Sequence, residues 1–256
     1  MDIRSIIKPP QTVSPDEYAT RIRAMLREKE RIIFVIDGSK LLNVITRKDA
    51  MLVTSTKSNL KAREIMSYPV LTLAPDEEIH EVGRKMIKKD TYSAPVVEGS
   101  RVLGVVHMGD ILQAIYRPSP KKVSDIMTTQ VVSCNRAEEI TKVWSLMEIH
   151  NFTGLPITEE VSSSRRRYNR LAGMVTRKDI LRAGEIRPGG DRKRFTSPPP
   201  VEKVMTRTPK YVRPIDAVDL CVELFRKYRI GRLPVVGDGF ELVGIVDRED
   251  ILQLYV

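Results

Sequence analysis

Two short runs of this sequence carry a hydroxyl and a carboxylate three residues apart: Thr46-Arg47-Lys48-Asp49 and Thr176-Arg177-Lys178-Asp179. Each follows a β-branched apolar stretch and precedes a helical pattern, so each falls where a strand becomes a helix. A threonine there can cap the first helical amides, and those amides, with the positive end of the helix dipole, attract phosphate. The aspartate lies one turn on, over the same helix end, where its two oxygens can accept from both hydroxyls of a ribose. The same spacing also makes a capping box, in which the acid bonds back to the cap. For an isolated copy the box is the simpler reading. Arg177 and Lys178 add cationic donors within the second run.

The elements that position these residues recur. REIMSYPVLTLAPDEEI from Arg63, SDIMTTQVVSCNRAEEI from Ser124 and EKVMTRTPKYVRPIDAV from Glu202 open three copies of one unit. The copies close in LGVVHMGDIL, AGMVTRKDIL and VGIVDREDIL, and a fainter first copy closes in LNVITRKDAML. Asp49, Asp110, Asp179 and Asp250 therefore share one repeat position, spaced by 61, 69 and 71 residues. Gly104, Gly173 and Gly244 precede their aspartates by six residues, and Asn43 takes that place in the first copy.

Each copy reads as strand, helix, two strands, helix. Ile79, Val82 and Met86 recur at helical spacing after the acidic start Asp76-Glu77-Glu78. Ile140, Val143, Trp144 and Met147 form the equivalent stripe in the third copy, Val218, Cys221, Leu224 and Phe225 in the fourth, and Ile22, Met25 and Leu26 in the first. These stripes read as core. Units of about 60 residues bury too little to stand alone, so pairing is expected. The expected segments are residues 1–60, 61–117, 122–184 and 201–256, with residues 185–200 as a basic Gly/Pro-rich linker.

The repeat resembles the CBS domain, named for cystathionine β-synthase. The resemblance rests on I/V-M at the opening, the P-D-E-type helix entry, P-V-V, G-x-V, and a closing T/S-x-x-D followed by I-L, and it covers essentially the whole chain. It implies an α/β (α+β) fold of four tandem β-α-β-β-α repeats paired into two Bateman modules, similar to archaeal relatives of the AMP-activated protein kinase γ subunit. It also implies a non-catalytic sensor whose clefts hold AMP, ADP, ATP or a related adenosine compound such as S-adenosylmethionine.

Residue by residue, the resemblance puts ribose on Asp49, Asp110, Asp179 and Asp250, and phosphate on Thr46 and Thr176. Four aspartates in one register, beside the resemblance, favour the ligand over the bare cap for the set. His107 replaces the threonine in the second copy, where it could donate to phosphate or stand as a structural imidazole. Asp247 replaces it in the fourth, where it would repel phosphate. Arg232, in Gly231-Arg232-Leu233-Pro234, resembles the phosphate-reaching arginine of the kinase subunit's H-R-L-P, although Gly231 departs from the histidine. Base contacts would come from Ala94, Pro95, Leu155, Pro156 and Leu233. The first copy departs most, with Phe34 for proline and Asn43 for glycine.

The formal charge is +10, yet residues 165–194 alone carry eleven Lys/Arg and three acids, 11 − 3 = +8. The third copy is also longer by eight residues, around SSSRRRYNR. Arg165, Arg166, Arg167 and Arg170 there could touch phosphates, with Tyr168 stacking on a base, which makes a nucleic acid or other polyanion the alternative partner. They could equally dock an acidic protein patch or stay solvated. The partners implied are thus an adenine nucleotide and an unidentified regulated protein, with a homodimer and a self-contained four-repeat disc both open. The residues show no phosphate-cradling glycine loop, and His80, His107 and His150 are scattered, which argues against an enzyme and against a metal site. The longest apolar run, residues 32–36, is far short of the ~20 residues of a membrane span, and MDIRSIIKPP lacks a secretory signal's apolar segment. A cytoplasmic protein is expected.

Overall fold

The computed structural model describes residues 1–53, 58–162, 166–184 and 198–256. They divide into two units: Met1–Tyr116 completed by Leu252–Val256, and Arg117–Ile251. Each unit holds two of the repeats, and each repeat is built on one antiparallel hairpin. In the first unit these are Ile32–Asp37 with Lys40–Thr46, and Ser93–Glu98 with Arg101–His107. In the second they are Gly154–Ser162 with Arg167–Thr176, and Arg232–Val236 with Leu242–Asp247.

The helical stripes face inward as their spacing implies. Ile79, Val82 and Met86 on Ile79–Lys88 are fully buried, as are Ile140, Val143 and Met147 on Ile140–Ile149. Trp144 is half-buried. The acidic start before Ile79 works as expected: the Glu78 carboxylate caps the helix, accepting from His80 N and Glu81 N. His80 bonds to that carboxylate and holds it well below the usual range, at about 2.

A register shift falls at the same place in all four hairpins, beside Asn43, Gly104, Gly173 and Gly244. These positions meet the opening segment of the partner repeat. Lys8 and Val105 exchange backbone hydrogen bonds of 2.9 Å in both directions, and Ser67 does the same with Val44. Thr128 pairs with Ile245, and Thr206 with Met174. The openings are thus exchanged within each unit, and a lone repeat would lack the segment that closes its sheet.

The exchange explains the glycines. A Cβ on Gly104 would stand 2.3 Å from the Lys8 carbonyl oxygen, and one on Gly173 would stand 2.7 Å from that of Thr206. Gly244 faces the Met127 sulfur at 2.8 Å. In the first repeat Asn43 fits, but its Oδ1 is buried with no hydrogen-bond partner. Phe34 has a separate reason for replacing proline. Its amide, which proline lacks, donates to Gln11 O at 2.9 Å, and its ring is fully buried with Ile32, Val44 and Val105.

Candidate functional site

All four aspartates stand at the start of the helix that follows their hairpin. At the first, Asp49 Oδ2 accepts from Thr46 N and Thr46 Oγ1, both at 2.7 Å. At the third, Asp179 Oδ2 accepts from Thr176 N at 2.8 Å and Thr176 Oγ1 at 2.6 Å. At the fourth, Asp250 Oδ2 accepts from Asp247 N at 2.7 Å. The capping box therefore forms and uses one carboxylate oxygen. The other oxygen, Oδ1, accepts nothing in these three copies among the described residues. The cap thus leaves the second carboxylate oxygen available.

Asp110 is set differently. Its Oδ1 receives Lys8 Nζ at 2.5 Å, and its Oδ2 is buried without a partner. Desolvation holds the Arg31 guanidinium below its ordinary pKa, and the Asp110 charge opposes that shift. His107 Nδ1 lies 2.7 Å from Ser93 Oγ on the neighbouring strand, so that face of the ring is engaged by the protein.

Asp247 takes over the threonine's capping work in the fourth copy. Its Oδ1 accepts from Glu249 N at 2.8 Å and Asp250 N at 3.4 Å. Its Oδ2 pairs with Arg232 Nη2 at 3.0 Å, while Arg232 Nη1 donates to Gly154 O at 2.6 Å. The repulsion expected between Asp247 and a phosphate is thus met by Arg232, whose guanidinium also lies 5.7 Å from the Phe152 ring. Burial and the adjacent Asp247 charge push the Asp250 carboxyl up to about 7.

Arg177, expected at a phosphate, is engaged by the protein itself. Its side chain is buried, and it donates to Phe152 O at 2.9 Å and Met147 O at 2.8 Å. Arg47 does the same to Leu26 O and Glu30 O, and Arg248 to Ile230 O. In three copies this arginine ties the hairpin's closing helix to the C-terminal end of the preceding one, satisfying carbonyls that a helix end leaves open. The signal was available in the sequence: arginine follows the cap in T-R-K-D, T-R-K-D and D-R-E-D, and methionine in H-M-G-D. Lys178, next in the run, is half-buried.

Ala94, Pro95, Leu155, Pro156 and Leu233 are all buried within the hairpin strands. Arg165 of the basic loop lies outside the described residues. The other three are paired: Arg166 with Glu241 at 2.6 Å, Arg167 with Glu160 at 3.9 Å, and Arg170 Nε with Glu159 at 2.8 Å. Residues 185–194, the remaining part of the basic stretch, also lie outside the described residues. Cys134 and Cys221 are buried free thiols, and desolvation raises both, Cys221 to about 12. Among the described residues no helix is long and apolar enough to cross a membrane.

The CBS domain family model matches residues 2–54, 62–117, 123–185 and 201–256. The uncharacterized protein MJ1225 of Methanocaldococcus jannaschii is 24% identical over 206 residues, spanning 77% of this chain and 70% of that one. Its crystal structure, described as that of a candidate archaeal homolog of g-AMPK, superposes with a TM-score of 0.84 at 22% identity and covers all of both chains. An uncharacterized conserved protein from Pyrococcus horikoshii shares the fold at a TM-score of 0.65 and 20% identity, again over the whole of both chains. Homoserine O-acetyltransferase of Methanosphaera stadtmanae is 27% identical over 110 residues, and the match spans only 22% of that enzyme. The four matched segments leave only residues 1, 55–61, 118–122 and 186–200 of this chain unassigned. Four copies of one hairpin-and-helix unit, paired by exchanged openings and matched one by one, place this chain in the CBS domain family, with its repeats paired into two Bateman modules.

Proposed function

We propose that this chain is a non-catalytic regulator that binds an adenosine compound, AMP, ADP, ATP or S-adenosylmethionine, in clefts between its paired repeats. The observation that carries the reading is the repeated aspartate. Asp49, Asp179 and Asp250 each spend Oδ2 on the helix cap and keep Oδ1 unengaged among the described residues. The buried, unpartnered Oδ2 of Asp110 adds a fourth acceptor. A carboxylate held rigidly by its own cap is preorganised to accept from a ribose diol.

The phosphate end would meet a different environment at each copy: a threonine hydroxyl at Thr46 and Thr176, His107 with Lys8 near Asp110, and Arg232 near Asp250. Such differences would grade affinity among the clefts. Ligand binding would act on a regulated protein only to the extent that the partner prefers the occupied arrangement. The cytoplasm is the proposed setting.

Isothermal titration of nucleotide-free protein with AMP, ATP and S-adenosylmethionine tests the reading. Saturable heat from at least one is expected, and it should fall when Asp179 and Asp250 are replaced by asparagine. Absence of heat from all three would sink it.

A further inference from the structure

The longer hairpin of the third repeat borders an open surface groove of about 330 Å³ within the second unit. It holds none of the four helix-start aspartates. Arg170 lies six residues up its strand from Thr176, roughly 20 Å at about 3.3 Å per residue. The floor is apolar, formed by Leu171, Ala172 and Met205. Arg136, Arg170 and Arg207 stand around it with Glu159, and Phe240 forms one wall.

The extra length of the hairpin is what shapes this groove. Arg170 bridges to Glu241 through the backbone, and Arg166 reaches the Glu241 carboxylate. Tyr168 packs on Gly239, where a Cβ would stand 2.9 Å from its hydroxyl. These contacts hold the 238–241 turn against the hairpin. In that turn Phe240 takes a left-handed backbone conformation, φ 62°, which is costly for a residue other than glycine. In this strained turn the residue is 44% exposed, and its ring lies edge-on to Tyr211 at 5.1 Å between centroids.

The arginines are not equally committed. Arg136 is shared between Glu159 and Glu202, and Arg170 is held by Glu159. Arg207 is exposed, and among the described residues its guanidinium makes a single long hydrogen bond, 3.5 Å to Glu202 O. Three guanidiniums thus face two carboxylates, leaving one positive charge whose donors are nearly all available, beside an exposed aromatic face.

We infer that this groove is a second binding site, for a nucleotide unit whose base stacks on Phe240 and whose phosphate is taken by Arg207. A planar ring and an anion at adjacent points are what an aromatic platform beside a guanidinium recognises, and stacking of this kind tolerates any base. The unit could belong to a single strand or be a free mononucleotide. The site is independent of the adenosine clefts.

The test uses the full chain and a fluorescein-labelled oligouridylate of about ten nucleotides, followed by anisotropy. A pyrimidine strand avoids recognition by adenosine clefts. The wild type should bind, more weakly as salt rises. Arg207→Ala and Phe240→Ala should each weaken binding by about tenfold, with unchanged melting temperatures because both side chains are exposed, whereas Phe240→Trp should retain it. The combined Asp49→Asn, Asp110→Asn, Asp179→Asn and Asp250→Asn protein should bind the strand as the wild type does, which separates this site from the clefts. Displacement by free uridine monophosphate would assign the site to mononucleotides, and lack of displacement would assign it to strands. No binding by the wild type, or binding that Arg207→Ala and Phe240→Ala leave unchanged, overturns the inference.

Discussion

Asp250 Oδ2 receives the backbone amide of Asp247 at 2.7 Å, and the Asp247 carboxylate in turn receives Arg232 at 3.0 Å. Asp250 therefore carries its charge beside a second acid in a desolvated place, which puts its carboxyl near 7. The folded value lies above the ordinary 3.8, so the native state holds a proton that the unfolded chain has lost. The associated stability is fully present below about pH 4 and is lost as pH rises through about 7. Asp250→Asn keeps an acceptor for the Asp247 amide and removes the titration. Urea unfolding should show the variant gaining on the wild type by about 1–3 kcal/mol between pH 5 and pH 8. A constant difference across that range would show that Asp250 does not titrate there.

Gly104 tests the exchanged opening. Alanine there must displace the Lys8 carbonyl, and overpacking of this kind costs about 1–3 kcal/mol. The loss should appear in chemical unfolding as a shifted midpoint. Asn43 provides the opposite case at the equivalent position. Its Oδ1 is buried and unsatisfied, so Asn43→Ala should be neutral or stabilising by up to about 1 kcal/mol.

Arg177 separates structure from ligand. Arg177→Ala strands two carbonyls at Phe152 and Met147 and should cost about 2–4 kcal/mol. Below its melting temperature the variant should bind the adenosine ligand with the wild-type affinity. A selective loss of affinity without a loss of stability would return Arg177 to the phosphate.

Asp179 gives the reverse signature. Asparagine can still accept from Thr176 N, so Asp179→Asn should lower stability by no more than about 1 kcal/mol. Its loss of the charged acceptor for the ribose should weaken the adenosine ligand at that cleft by about tenfold. Titration calorimetry beside thermal unfolding reads both. If stability falls and affinity does not, Asp179 is a cap only.

Much of the fold is legible in the chain because it is periodic. Helical stripes such as Ile79, Val82 and Met86 depend on spacing alone, and they are buried where spacing puts them. The strand-to-helix step at Thr46 and Thr176 is equally local, since the capping box closes over three residues. The family follows from the same local signals repeated in register.

What the chain alone could not decide depends on contacts between distant residues. The role of Gly104 is set by Lys8, and that of Gly173 by Thr206, and neither neighbour is marked in the sequence. The fate of a charge is likewise tertiary. Arg177 and Lys178 look alike as donors in the sequence, and only the fold shows Arg177 buried and bonded to two carbonyls of the preceding helix and loop. Asp247 looked repulsive until Arg232 was found beside it. The basic hairpin left a polyanion, an acidic protein patch and solvent all open, and only the fold shows Arg166, Arg167 and Arg170 paired with Glu241, Glu160 and Glu159. Periodicity and local caps are properties of neighbours along the chain, whereas ion pairing and close backbone approach are properties of neighbours in space, and the fold alone brings those together.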